Sequence, residues 1–206
     1  MTTPKTKFAG LALIAALCGG FTSGLTAPGW AGFDEGVVAY NRGDYATAIR
    51  EWRPLAKQGV ADAQYNLGVM YRKGRGVPQD DAEAVKWYRK AAEQGHAVAP
   101  VSLGVMYVRG RGVRQDYAAA LQWWRKAAEQ GVAGAQNNLG VLYSDGRGVP
   151  QDYVQAHMWL TLAASRHPPG EDRDQSVKNR DHVAKRMTAA QISEAEKLAR
   201  EWEPKK

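Results

Sequence analysis

The chain has 206 residues, with 28 Lys and Arg against 21 Asp and Glu, and its one cysteine is Cys18. A net charge of +7 is too mild to argue for nucleic acid, and one thiol excludes both a disulfide framework and a cysteine metal site. At 44% apolar residues, the length suffices for a folded domain with a continuous core.

Residues 1–31 read as a signal peptide. Lys5 and Lys7 give a positive start, residues 8–17 are apolar and uncharged, and small residues at Gly29 and Ala31 place cleavage after Ala31. A bilayer span takes about 20 apolar residues, so no stable membrane span is expected after cleavage. Cys18 either leaves with this segment or serves as a lipid-attachment site, for which Leu17 is a poor preceding residue. The mature chain keeps 26 basic residues against 21 acidic ones, a balance of +5, and is expected to be periplasmic or secreted from a bacterium.

From residue 32 one pattern recurs every 36 residues. Leu67-Gly68-Val69-Met70-Tyr71 returns as Leu103-Gly104-Val105-Met106-Tyr107 and Leu139-Gly140-Val141-Leu142-Tyr143. Gly76-Val77-Pro78-Gln79-Asp80 returns at Gly112 and Gly148, and Trp87, Trp123 and Trp159 keep the same step. A period in this range marks stacked supersecondary units that cannot bury their apolar faces singly. The boundaries expected are a shortened repeat at 32–59, full repeats at 60–95, 96–131 and 132–167, and a C-terminal helical cap at 168–206.

In chain order, residues 33–40 form a first helix and 41–44 a short turn. Residues 45–58 form its partner, with Ala48, Ile49, Trp52 and Leu55 inward. In the next unit Ala63, Leu67, Met70 and Tyr71 share one face of a helix over 61–73, which Gly74 ends. Asp80 is the N-cap of the second helix, with Glu83 placed for a capping box, and Ala84, Val85 and Tyr88 turn inward. Trp87 is expected to pack on the following unit. Gly68, Gly104 and Gly140 sit inside helices, which points to close helix contacts. The tail reads as a charged helix over 171–187 touching the fold through Val177, Ala184 and Met187. A final helix opens at a Thr188–Gln191 capping box, with Ile192, Ala195, Leu198 and Trp202 inward.

These motifs resemble the Sel-one-like repeat (SLR) family, relatives of the tetratricopeptide repeat. The resemblance rests on Ala63-Gln64 through Tyr71, Gly74-Arg75-Gly76-Val77-Pro78-Gln79-Asp80, and Lys86-Trp87-Tyr88-Arg89-Lys90-Ala91-Ala92-Glu93-Gln94-Gly95. The second full unit departs from it at Val98-Ala99-Pro100. The resemblance implies an all-α, right-handed α-solenoid whose first helices line a concave side, acting as an adaptor in the cell envelope.

On that arrangement, groove positions are expected at Asp62, Tyr65, Val69, Arg72, Lys73, Val98, Val101, Val105, Val108 and Arg109, then at Gly134, Asn137, Val141, Ser144 and Asp145. Val69, Val105 and Val141 either form an apolar strip along the groove or pack inside the solenoid. The partner expected is a protein or peptide; an anionic envelope polysaccharide is the alternative, through Lys73, Arg75, Arg109, Arg111, Arg114 and Arg147 along one edge, or these charges are a solvated surface. A cell-wall hydrolase is a remote third reading. No metal, cofactor or catalytic residue is expected, because His96, His157, His167 and His182 lack ligand spacing and no serine has nucleophile-elbow context.

Overall fold

The computed structural model describes residues 31–205; the signal-peptide and Cys18 assignments lie outside them. Ten helices, and no strand among the described residues, make the chain all-α: α1 (Ala31–Asn41), α2 (Tyr45–Lys57), α3 (Ala61–Lys73), α4 (Asp81–Glu93), α5 (Ala99–Arg109), α6 (Tyr117–Glu129), α7 (Ala133–Asp145), α8 (Tyr153–Arg166), α9 (Glu171–Ala184) and α10 (Ala189–Glu201). The described chain forms two compact units, one of residues 31–99 with 111–113, the other of 100–110 with 114–205.

Every second helix of a pair starts the same way. Asp44, Asp80, Asp116 and Asp152 each accept a hydrogen bond from the backbone N–H three residues on, at 3.1, 2.9, 2.9 and 2.9 Å. Such a cap is worth about 1 kcal/mol. The capping box forms at Thr188–Gln191 but not at Asp80, where Glu83 turns instead to Lys86 at 3.5 Å.

The glycines inside the first helices have a common cause. A Cβ at Gly68 would stand 2.5 Å from the Tyr88 ring, one at Gly104 2.1 Å from Trp124 Nε1, and one at Gly140 2.7 Å from Leu160. A large side chain of the partner helix lies flat on each glycine. Gly36 does the same for Trp52, at 2.3 Å. It stands out of phase because the α1–α2 turn is four residues shorter than the α3–α4 loop. The indole N–H of Trp52 donates to the Phe33 carbonyl at 3.1 Å, and that of Trp124 to the Val101 carbonyl at 3.0 Å, in both cases three residues before the glycine.

In the first unit, α1 to α3 close over Ala48, Ile49, Trp52, Leu55, Ala63, Leu67 and Met70. Trp87, expected on the following unit, packs on this cluster and so on the preceding helices. In the second unit Trp124, Leu139, Leu142, Trp159 and Leu162 form the core, and Ala195, Leu198 and Trp202 of the C-terminal segment cover it. Large fully buried side chains of this kind contribute about 1.5–3 kcal/mol each. The inward side of α9 is Ser176, Asn179 and Val183, not the expected Val177, Ala184 and Met187, of which only Met187 packs on a buried cluster.

The loops after the first helices follow one rule. Gly112 has φ 68°, and a Cβ there would meet the Asp81 carbonyl oxygen at 2.2 Å, so only glycine lets this loop lie against the start of α4. Gly76 and Gly148 approach Tyr45 and Tyr117 in the same way, at 2.7 and 2.6 Å. The arginine before each glycine grips the same residue. The Arg75 guanidinium lies 5.1 Å from the Tyr45 ring and bonds the Tyr40 hydroxyl, Arg111 pairs with Asp81 at 3.1 Å, and Arg147 lies 5.6 Å from the Tyr117 ring. Three cations of the expected basic edge are therefore structural anchors.

Candidate partner-binding surface

Tyr65, Val101 and Asn137 occupy the same position in three successive first helices, and each meets a residue of the segment that follows its own hairpin. Tyr65 stacks on His96 with ring centroids 4.5 Å apart. Val101 Cγ1 lies 3.9 Å from where a Cβ on Gly134 of α7 would stand. The Asn137 carboxamide oxygen accepts from Asn179 Nδ2 of α9 at 3.1 Å, and Gln175 donates to Asn179 at 2.9 Å. The residue type varies between repeats because each is matched to a different neighbour. Val101 and Asn137 are buried accordingly.

The valines expected along an accessible strip are buried as well: Val69 is 8% exposed, Val105 7% and Val141 1%. Val101, Val105 and Val108 belong to the same apolar cluster as Trp124, Leu139 and Leu142, and Ser144 is also buried. The physical reason is that a first helix is flanked on both sides. It packs on its own partner and on a neighbouring pair, so its apolar stripe is wider than the i, i+3, i+4 pattern of a surface helix.

Apart from Val98 and Gly134, the expected groove residues that remain reachable are polar. Asp62, Tyr65, Arg72 and Lys73 of α3 are half-buried and Arg109 of α5 is exposed. Arg72 Nε donates to the Tyr88 hydroxyl at 3.3 Å, and the Tyr88 ring lies 5.6 Å from that of Tyr65. Burial pushes the Tyr88 phenol well above its ordinary range, so it stays neutral and accepts this bond. Arg72, Lys73 and Arg75 crowd the C-terminal end of α3, and no carboxylate among the described residues lies within ion-pair distance of any of them. Partial burial, followed by the charges of Arg75 and Arg72, lowers the Lys73 pKa. The α3 C-terminus offsets part of that repulsion through its dipole.

Among the described residues no group of three His, Cys, Asp or Glu side chains is placed to hold a metal ion, and no helix is long and apolar enough to cross a membrane. Gly36 is the residue that reading by a fixed period missed. The signal available was Trp52, which stands in phase with Tyr88 and Trp124 and implies a glycine opposite it.

The geometry is that of helical hairpins that differ in their facing residues and share their glycine seats and aspartate caps. No curated protein matches the sequence. Among solved structures, the chain is similar to a Sel1 repeat protein from Oxalobacter formigenes, at 33% identity over 79% of this chain and 75% of that one, with a TM-score of 0.63. It is also similar to a protective antigen present in uropathogenic Escherichia coli strains, displaying an SLR fold. That likeness is 32% identity over 84% of this chain and 45% of that one, with a TM-score of 0.49. The Sel1 repeat model matches residues 61–96, 101–132 and 133–167, half of the chain. By that match and by the repeat geometry, the chain belongs to the Sel1 repeat family.

Proposed function

We propose that the protein is a non-catalytic adaptor of the cell envelope whose partner is a protein or peptide rich in carboxylates, received at the C-terminal end of α3. Repeats of this family generally mediate contacts between proteins. The observation that carries the reading is the crowding of Arg72, Lys73 and Arg75 without a carboxylate of their own. A partner carboxylate would relieve that repulsion, and arginine can hold it with paired hydrogen bonds. Export rests on residues 1–31, and fractionation of cells producing the full chain tests it: recovery in the cytoplasm would overturn the envelope assignment.

The test of the partner class is fluorescence anisotropy with a labelled glutamate-rich peptide, repeated with a glutamine-rich peptide and with an alginate oligosaccharide. The glutamate peptide should bind, weaken as salt is raised from about 0.05 to about 0.5 M, a range over which the Debye length falls to a few Å, and be lost in Lys73→Glu with melting unchanged. Arg72 stays in place because it bonds the buried Tyr88 hydroxyl. Equal binding of both peptides, or no effect of Lys73→Glu, would refute the reading. Alginate alone binding would move the assignment to an anionic polysaccharide.

A further inference from the structure

The start of α5 is built differently from the starts of α3 and α7. Val60 and Val132 precede α3 and α7 directly, and neither offers a side-chain cap. Their helices are 13 residues long, whereas α5 has 11 and begins at Ala99. The repeat also differs at Pro100, the second residue of α5, whose missing N–H cannot make the bond that Gln64 and Gln136 give to the Val60 and Val132 carbonyls. Pro100 replaces a glutamine, since Gln64 and Gln136 stand one period either side. Those two amides tie their helices back to the preceding ones, donating to the Ala56 and Ala128 carbonyls at 3.0 and 3.1 Å. Pro100 has no amide side chain to do this.

His96 stands where the neighbouring repeats have Val60 and Val132, and its ring gives this helix start a side-chain cap that neither valine offers. Nδ1 accepts from the backbone N–H of Val98 at 3.2 Å and of Ala99 at 3.0 Å. Two donors on one ring nitrogen require it to carry a lone pair, so the proton sits on Nε2 and points to Asp62 Oδ1 at 3.3 Å. The ring face is covered by Tyr65, and the side chain is 12% exposed. The chain passes from one compact unit to the other between Ala99 and Pro100, immediately after these bonds.

We propose that His96 is an acid-released latch on the first turn of α5. Neutral, it holds the Val98 and Ala99 amides; protonated, it presents N–H to N–H at Nδ1 and lets the turn open. The groups facing the ring are Asp62 and Tyr65 from α3, Tyr88 from α4 behind Tyr65, and the N-terminus of α5, whose first turn carries no acidic residue. Burial lowers the His96 pKa and Asp62 raises it, with burial the larger influence. Because the folded value lies below the unfolded one of about 6.5, the latch contributes fully above that pH and is lost as pH falls toward the folded value.

The test is residue-resolved amide hydrogen exchange of the protein at pH 7.5 and 5.0, expressed as protection factors, beside His96→Asn, whose carboxamide accepts the same bonds without titrating. Protection of Val98, Ala99 and Val101 should fall in acid in the unmodified protein and hold in His96→Asn, where the other histidines remain as internal controls. Unchanged protection in the unmodified protein, or an equal fall in both, would overturn the latch. Nitrogen chemical shifts of the His96 ring in the unmodified protein give a readout that needs no variant. An Nδ1–H tautomer at pH 7.5 would overturn the proposal; the Nε2–H tautomer giving way to the imidazolium as the three amides lose protection supports it.

Discussion

Replacing Gly104 with alanine adds one methyl group, and the structure says where it goes. The new Cβ would stand 2.1 Å from Trp124 Nε1 and 2.5 Å from Cε2, with Trp124 fully buried. The indole must move, and it cannot do so while donating to the Val101 carbonyl at 3.0 Å. Leaving that buried pair unsatisfied costs about 1–3 kcal/mol, and overpacking about 1–3 kcal/mol more. Alanine returns about 1 kcal/mol through helix propensity. The net loss is about 3 kcal/mol, and at about 2–4 °C per kcal/mol for a domain of this size the melting temperature should fall by roughly 6–12 °C. Gly134→Ala is the matched control, because a Cβ there meets only Val101 Cγ1 at an ordinary 3.9 Å; it should leave stability unchanged or raise it by up to about 1 kcal/mol. Calorimetry of both variants decides the matter. If the two changes have the same sign, or Gly104→Ala melts at or above the parent temperature, the close-packing argument is wrong.

Val105→Arg should lower the melting temperature sharply, by several kcal/mol of stability, because it puts a charge into the cluster around Trp124; an unchanged melt would return the valines to an accessible surface. Asn179→Ala removes the donor to Asn137 and an acceptor for Gln175 and should cost about 1–3 kcal/mol in urea titration. Burial lowers the pKa values of His96, His157, His167 and His182. Unfolding therefore takes up protons below about pH 6.5, and stability should fall from pH 7 to 5. A urea midpoint flat across that range would contradict the depressed values.

The helical pairs, the aspartate caps and the glycine seats were legible in the sequence because each is a local rule repeated in phase. Gly68, Gly104 and Gly140 announced a contact, and the structure supplies the large side chains on the other side of it. The binding face was less legible, because sequence periodicity shows which residues share a helix face but not how many neighbours that face has. Tyr65, Val101 and Asn137 vary like ligand contacts, yet each is matched to a residue of the segment after its own hairpin. On α9, the inward Ser176 and Asn179 could not be read as core, since their burial depends on partners contributed by other helices or by the backbone one turn earlier.

The loop seats at Tyr45, Asp81 and Tyr117 also set a rule for changing the length of the chain. Each loop glycine finds its seat 31 residues earlier, within one period, so no loop depends on how many repeats stand before it. Excising residues 60–95 would join Gly59 to His96 and bring Tyr45 into the register now held by Asp81. Arg111 would then meet an aromatic ring, as Arg75 does at that same Tyr45. A cut that is not a whole number of periods would move arginine and glycine off the residue that seats them. Repeats of this chain are exchangeable in whole periods only, and nearest-neighbour matching at such seats is what allows arrays of this kind to lengthen and shorten.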